Sequence, residues 1–218
     1  MAEVNIEKYA EEAYNLMVDS NPVFSFEGTG PKRLLIMAGL PLSGKTFFVN
    51  MMNRVRPGKF QQINSHTTRP VVAQFMGRKR PVYDTAEHRA TFEVTHRLVL
   101  RVLKNGWPVI ADATNLSEKY RAWAVDAGKA AGAEILIVFM QVTDTTAKTR
   151  LYERTSGSSA TFETYEQLKL DLEPIDRCSA PYLVVNSEVD ISPHVTDVAK
   201  WLCGESDSVS GVRSLHSR

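Results

Sequence analysis

A chain of 218 residues, 43% hydrophobic and 23% charged, is long enough to bury the core of one α/β domain. Its formal net charge of +1 gives no whole-protein attraction to nucleic acid or membrane, so a polyanion would have to be met by a local patch. Arg54, Arg56 and Lys59, and then Arg78, Lys79 and Arg80, are the local candidates, and the simpler reading of both is a solvated loop face.

The N-terminal stretch is polar and acidic, unlike a signal peptide, and the apolar spacing of Ile6, Tyr9, Ala10, Ala13 and Met17 predicts a helix over residues 5–18. A connector follows, so residues 1–30 form an N-terminal helix and connector ahead of the main domain, 31–203. "RLLIMAG" reads as a buried strand, and a helix runs from Gly44 to about Arg56. "FQQIN" is a second strand. "SHTTRPVVAQFMGRKRPVYD" reads mostly as loop, broken by Pro70 and Pro81. Asp84 with Glu87 resembles a capping box that opens a long helix to about Lys104. "NGWPVIAD" supplies a third strand, and Ser117 is expected to cap the next helix. "AEILIVFMQV" is a fourth strand, followed by helices at about 145–154 and over "FETYEQLKLDLE". "YLVVN" is the fifth strand and "PHVTDVAKWL" a closing helix, with a polar, disordered tail expected over 204–218. Cys178 and Cys203 fit no metal or redox spacing, and no apolar run reaches membrane length. The expectation is a cytoplasmic protein with no membrane partner.

Strands that are apolar on both faces, alternating with helices, predict an α/β fold with a five-stranded, mainly parallel sheet covered on both sides. Sites in such folds lie at the carboxyl ends of the strands. After the first strand stands "GLPLSGKT": Gly39, Leu40, Pro41, Leu42, Ser43, Gly44, Lys45 and Thr46. This is a complete G-x-x-x-x-G-K-[ST] between a strand and a helix, and with the sheet it predicts a P-loop NTPase three-layer fold, to which the resemblance given below adds a helical lid. Backbone N–H groups and the helix N-terminus would surround the phosphates of ATP, Lys45 would reach the outer phosphates, and Thr46 would ligate Mg²⁺. Pro41 gives up one donor, and Leu42 adds bulk where many such loops have glycine. After the third strand, Asp112 can hold the magnesium or orient an acceptor, and Thr114 and Asn115 follow it into a loop.

Together, "GLPLSGKT", "INSHTTR", "VIADATNLSEKYRAWAVDAGKAAGAE" and "RTSGSSATFETYEQLKLDLEP" resemble the polynucleotide-kinase-like P-loop kinases, with zeta-toxin-type kinases as more distant relatives. The resemblance implies transfer of the ATP γ-phosphoryl group to a hydroxyl, a nucleic acid 5′ end or a related small molecule. It implies that Asn64 and Arg69 bind the acceptor side, and that Arg150 and Arg154 are lid arginines clamping the transferring phosphates. In the family's N-x-D-x-x-R the aspartate is the general base. Here that place is His66, which can also accept a proton near neutral pH.

Two other readings stand beside it. "SHTTR" is similar to a guanylate-kinase phosphate grip, and a monophosphate acceptor needs no base. A non-catalytic ATP-binding switch is the third.

Overall fold

The computed structural model of the protein describes residues 5–20, 27–153 and 162–214. Five strands form one sheet: β1 (Arg33–Ala38), β2 (Gln61–Asn64), β3 (Val109–Asp112), β4 (Glu134–Gln141) and β5 (Tyr182–Asn186). All pairings are parallel, in the order β2-β3-β1-β4-β5. Parallel strands need crossovers, and helices supply them: α2 (Lys45–Val55), α3 (Ser65–Phe75), α4 (Thr85–Lys104), α5 (Glu118–Ala130), α6 (Asp144–Tyr152) and α7 (Phe162–Leu170), while α8 (Ser192–Leu202) follows the last strand. The N-terminal α1 (Ile6–Ser20) precedes them.

Alternation along β1 divides the core. Leu34, Ile36 and Ala38 face the layer containing α1, α4 and α5, whereas Leu35 and Met37 face α2 and α8. All six residues of β1 are buried, as expected for a central strand covered on both sides. A smaller apolar cluster of Leu40, Leu116, Ala147 and Tyr165 ties the loop after β1 to α6 and α7.

The expected N-terminal helix packs on α4 and also reaches α3. Arg97 and Arg101 pair with Glu7 and Glu11, and the Arg101 guanidinium lies 3.6 Å from the Tyr14 ring centroid. Tyr9 stacks on Phe75 at 5.1 Å and donates its hydroxyl to the Phe75 carbonyl at 3.1 Å.

Three sequence expectations need correction. Residues 65–75, read as loop, form α3. Asn64 caps it by accepting from the His66 N–H, and Thr68, Arg69, Val72 and Ala73 are buried along it. That capping and burial outweigh Pro70, which inside a helix removes only the N–H that would bond the carbonyl four residues back. Ser117 stands at the N-cap of α5, but its side chain makes no capping bond; the Glu173 carboxylate accepts from the Glu118 N–H at 2.8 Å instead. The tail expected to be disordered is folded back as far as residue 214, and Arg213 forms a two-bond antiparallel bridge with Tyr182. Buried Arg33 draws the tail in by bonding the Ser206 carbonyl at 2.7 Å and Asp207 at 3.1 Å, and Arg56 pairs with Glu205.

Candidate active site

The loop after β1 opens with Gly39 at φ 129, where a Cβ would lie 2.5 Å from the Met140 carbonyl oxygen; only glycine fits. Its N–H donates to the Thr114 carbonyl at 2.9 Å, joining the loop to the segment after β3. Leu42 holds a left-handed φ of 66, a conformation costing a branched residue about 1 kcal/mol. Lys45 folds back under the loop and donates to the carbonyls of Gly39 at 2.8 Å and Leu40 at 2.7 Å. Burial lowers its pKa to about 8, against the opposing pull of Asp112. The Ser43 hydroxyl is buried without a partner.

Arg150 lies at this loop too. It donates to the Leu42 carbonyl at 2.9 Å and to the Ser187 hydroxyl and carbonyl at 2.8 and 2.7 Å. It therefore bridges the phosphate loop to the end of β5. Arg154 and the small-residue loop after it lie outside the described residues.

On the other side, Asn64, Asp112 and Met37 stand in register across β2, β3 and β1. Asp112 is 4% exposed, and its Oδ2 accepts from Gln62 Nε2 at 2.8 Å and Asn64 Nδ2 at 3.1 Å. Burial raises its pKa above the usual carboxylate range, while Lys45, the Gln62 bond and His66 pull the other way. Both amides land on one oxygen, which leaves Oδ1 as the atom to meet a ligand. Exposed Thr46 in the first turn of α2 adds a hydroxyl, and a hydroxyl with a carboxylate is an oxygen donor set suited to magnesium.

Asn115, 2% exposed and at φ 44, donates to the Met37 carbonyl at 2.7 Å, while its buried Oδ1 has no partner. His66 is exposed on the first turn of α3, where its charge acts on Asp112.

Arg69 does not stand open. Its guanidinium meets Glu87 at 3.2 Å and His88 Nδ1 at 3.3 Å, and lies 4.7 Å from the Tyr83 ring centroid. Glu87, fully buried, also accepts from Arg78 and from the N–H groups of Val82 and Tyr83. The Asp84–Glu87 pair expected to cap α4 is half realised. Asp84 accepts the Glu87 N–H at 2.8 Å, but the Glu87 carboxylate turns to Arg69 and the preceding loop.

Sequence reading missed Gln62, Glu87 and Ser187. Gln62 had a signal: it is two residues from Asn64, so both side chains leave the same face of β2. Glu87 and Ser187 carried none beyond their places near helix and strand ends.

A glycine-rich loop between β1 and α2, a buried lysine within it and a carboxylate on the neighbouring strand end define the P-loop nucleotide-binding class. Residues 34–175 match the family model described as an AAA domain, and the chain belongs to that family. No curated protein matches the chain. Among solved structures, a sugar kinase from Janibacter sp. HTCC2649 shares 14% identity, covering 79% of this chain and 95% of that one, with a TM-score of 0.62. A gluconokinase from Sinorhizobium meliloti 1021 shares 16%, covering 84% and 95%, at 0.57. Kti12 from Chaetomium thermophilum, bound to ADP-AlF3, shares 20%, covering 82% and 100%, at 0.59. At such identities the likeness is one of fold. Among the described residues no helix is long and apolar enough to cross a membrane.

Proposed function

We propose that the protein is an ATP-dependent phosphotransferase that moves the γ-phosphoryl group to a hydroxyl acceptor, a polynucleotide 5′-OH or a related small molecule. The observation that carries this reading is Asp112. A buried carboxylate is fixed by two side-chain amides at a strand end, in the field of the phosphate-loop lysine. A base works best with a pKa near the working pH, and burial moves Asp112 in that direction. Asp112 accepts the acceptor's hydroxyl proton as the acceptor oxygen bonds to the γ-phosphorus, and the bond from that phosphorus to the β-γ bridging oxygen breaks to leave ADP. Lys45 neutralises charge on the transferring group, and Arg150 steadies the loop that holds it. Thr46, with Asp112 through water, would hold magnesium, which would supply further charge neutralisation on the phosphates.

Neighbours named as a sugar kinase and a gluconokinase agree with a hydroxyl acceptor. The phosphate-grip reading of "SHTTR" relies on Ser65 and Arg69, and the pairing of Arg69 with buried Glu87 weighs against it.

Labelled ATP offered with 5′-hydroxyl oligonucleotides, nucleosides, nucleoside monophosphates and sugars tests the proposal. Transfer to a hydroxyl should fall about 10²–10⁴-fold in Asp112→Asn while nucleotide binding persists. Nucleotide binding with no transfer to any acceptor would favour a switch, and a fully active Asp112→Asn would remove the assigned base.

A further inference from the structure

Beyond the carboxyl ends of β2 and β3 lies a wall that the reaction itself does not use. Arg69 stands five residues beyond Asn64, a rise of about 7–8 Å along α3. Tyr120 is on the first turn of α5, just after the Asp112 loop, and the first turn of α4 brings His88. The His88 and Tyr120 ring centroids are 5.2 Å apart, and Tyr120 lies 4.3 Å from buried Phe92. Tyr83, 58% exposed, covers Arg69. Asp171 follows α7 two residues before Glu173, whose N–H donates to the Leu116 carbonyl at 3.1 Å and whose carboxylate accepts from the Glu118 N–H at 2.8 Å, so this segment lies against the start of α5, and the Asp171 charge acts on His88 and Tyr120.

The charges of this wall are already matched. Arg69 faces Glu87, and Arg78 faces Glu87 and Asp84. With Asp171 added, these carboxylates outnumber the two guanidinium groups. Neither of these guanidinium groups is free for a phosphorylated acceptor, since binding one would mean pulling Arg69 from a buried carboxylate. Lys119, next to Tyr120, is itself turned onto the Trp123 ring at 5.1 Å.

The polar atoms that remain suit hydroxyls. A guanidinium only donates, so His88 Nδ1 must accept from Arg69, and the neutral ring carries its proton on Nε2. Burial, with the positive charge of Arg69, keeps that ring neutral by lowering its pKa. The wall therefore offers one N–H donor, two phenols that can donate or accept, and the Asp171 carboxylate as acceptor, beside aromatic faces. That is the complement of a ring with apolar C–H faces and a rim of hydroxyls.

We propose that the wall formed by Tyr83, His88, Tyr120 and Asp171 binds the acceptor, and that the acceptor is an uncharged polyhydroxylated ring of the sugar or cyclitol class. This rests on the phosphotransferase reading and narrows its acceptor away from polynucleotide ends.

Calorimetry with a non-hydrolysable ATP analogue present, paired with transfer assays, tests it on a panel of neutral monosaccharides, cyclitols, sugar phosphates, nucleoside monophosphates and 5′-hydroxyl oligonucleotides. A neutral ring should bind and accept phosphate. Asp171→Asn and Tyr120→Phe, both shape-conserving, should each raise its KM about tenfold and leave that of ATP unchanged. Preference for oligonucleotides or phosphorylated acceptors overturns the proposal while leaving phosphotransfer intact. Wild-type acceptor KM in both variants overturns it too. Nucleotide binding without transfer to any of the panel removes the phosphotransferase reading and this one with it.

Discussion

On the β1, β4 and β5 side of the sheet, the phosphate loop places its groups through the backbone. Gly39 packs against a carbonyl, Leu42 accepts a left-handed conformation, and the carbonyls of Gly39, Leu40 and Leu42 hold Lys45 and Arg150. On the β2 and β3 side, placement is by side chains. Amides of Gln62 and Asn64 hold Asp112, and buried Glu87 holds Arg69, Arg78 and a loop. In the proposed reaction the backbone-built side would receive a triphosphate, whose charge is fixed, through groups any residue carries. The side-chain-built side would meet the acceptor, so its chemistry can change by substitution while the fold stays the same.

The comparison is broken most simply at Lys45. Lys45→Ala should lower turnover about 10²–10³-fold, because its ammonium neutralises charge that develops on the transferring group. Circular dichroism should show the fold retained. Turnover at the wild-type level would mean that the loop does not serve the chemistry.

Lys45 also has a stability consequence. Its folded pKa of about 8 lies below the ordinary lysine value of 10.5, so the folded state disfavours the ammonium. The cost is fully present below about pH 8 and is relieved as the pH rises from there through the unfolded value. Lys45→Met should therefore stabilise the nucleotide-free protein at pH 7, by up to about 3 kcal/mol, since Asp112 loses a counter-charge in the same change. Urea unfolding at pH 7 and pH 10 measures this. The gain should shrink at pH 10, and an equal gain at both values would count against a strained lysine.

Arg69 tests the acceptor side. Arg69→Ala leaves fully buried Glu87 with one cation fewer, and should destabilise the protein by about 3 kcal/mol. Its effect on acceptor affinity should be secondary, arriving through Tyr83 and His88. Unchanged stability with a large rise in acceptor KM would make Arg69 a direct binder, as the resemblance to polynucleotide kinases implied.

The donor side was legible because the phosphate loop constrains consecutive residues: strand, glycines, lysine and helix are contiguous. β1, β3, β4 and β5 could be read for a similar reason, since burial on both faces leaves near-continuous apolar runs, whereas β2, QQIN, has Ile63 as its one apolar residue. The acceptor side was not legible. The bond that decides the place of Arg69 joins residues 18 apart, and the one that decides Asp112 spans 50. Proline at position 70 argued for loop, while the buried face that helped to override it packs on α1 and α4, which local sequence cannot bring together.

Arg150 sharpens the boundary between the two sides. Arg150→Ala removes the bridge from Leu42 to Ser187, and should raise the KM for ATP about tenfold, the value of a few charge-assisted bonds. A fall in kcat alone, with KM unchanged, would show that the guanidinium leaves Ser187 for the phosphates during the reaction.

The smallest effect is expected at His66, though it occupies the place of the family's base. Its ring is exposed, and its backbone N–H, not its side chain, is the group that Asn64 fixes. Asp112 is buried and held by two amides. The phosphoryl-transfer transition state is loose, so the acceptor proton leaves late and a second base adds little. His66→Ala should keep its backbone cap and cost only a few-fold in kcat, far less than the roughly 10²–10⁴-fold expected of a lost general base. The pH profile distinguishes the two residues. If His66 were the base, the limb of the profile that reports the base would vanish in His66→Ala. If Asp112 is the base, that limb stays and the loss appears in Asp112→Asn. A loss in His66→Ala as large as in Asp112→Asn would return the proton to the histidine and leave Asp112 as a magnesium ligand.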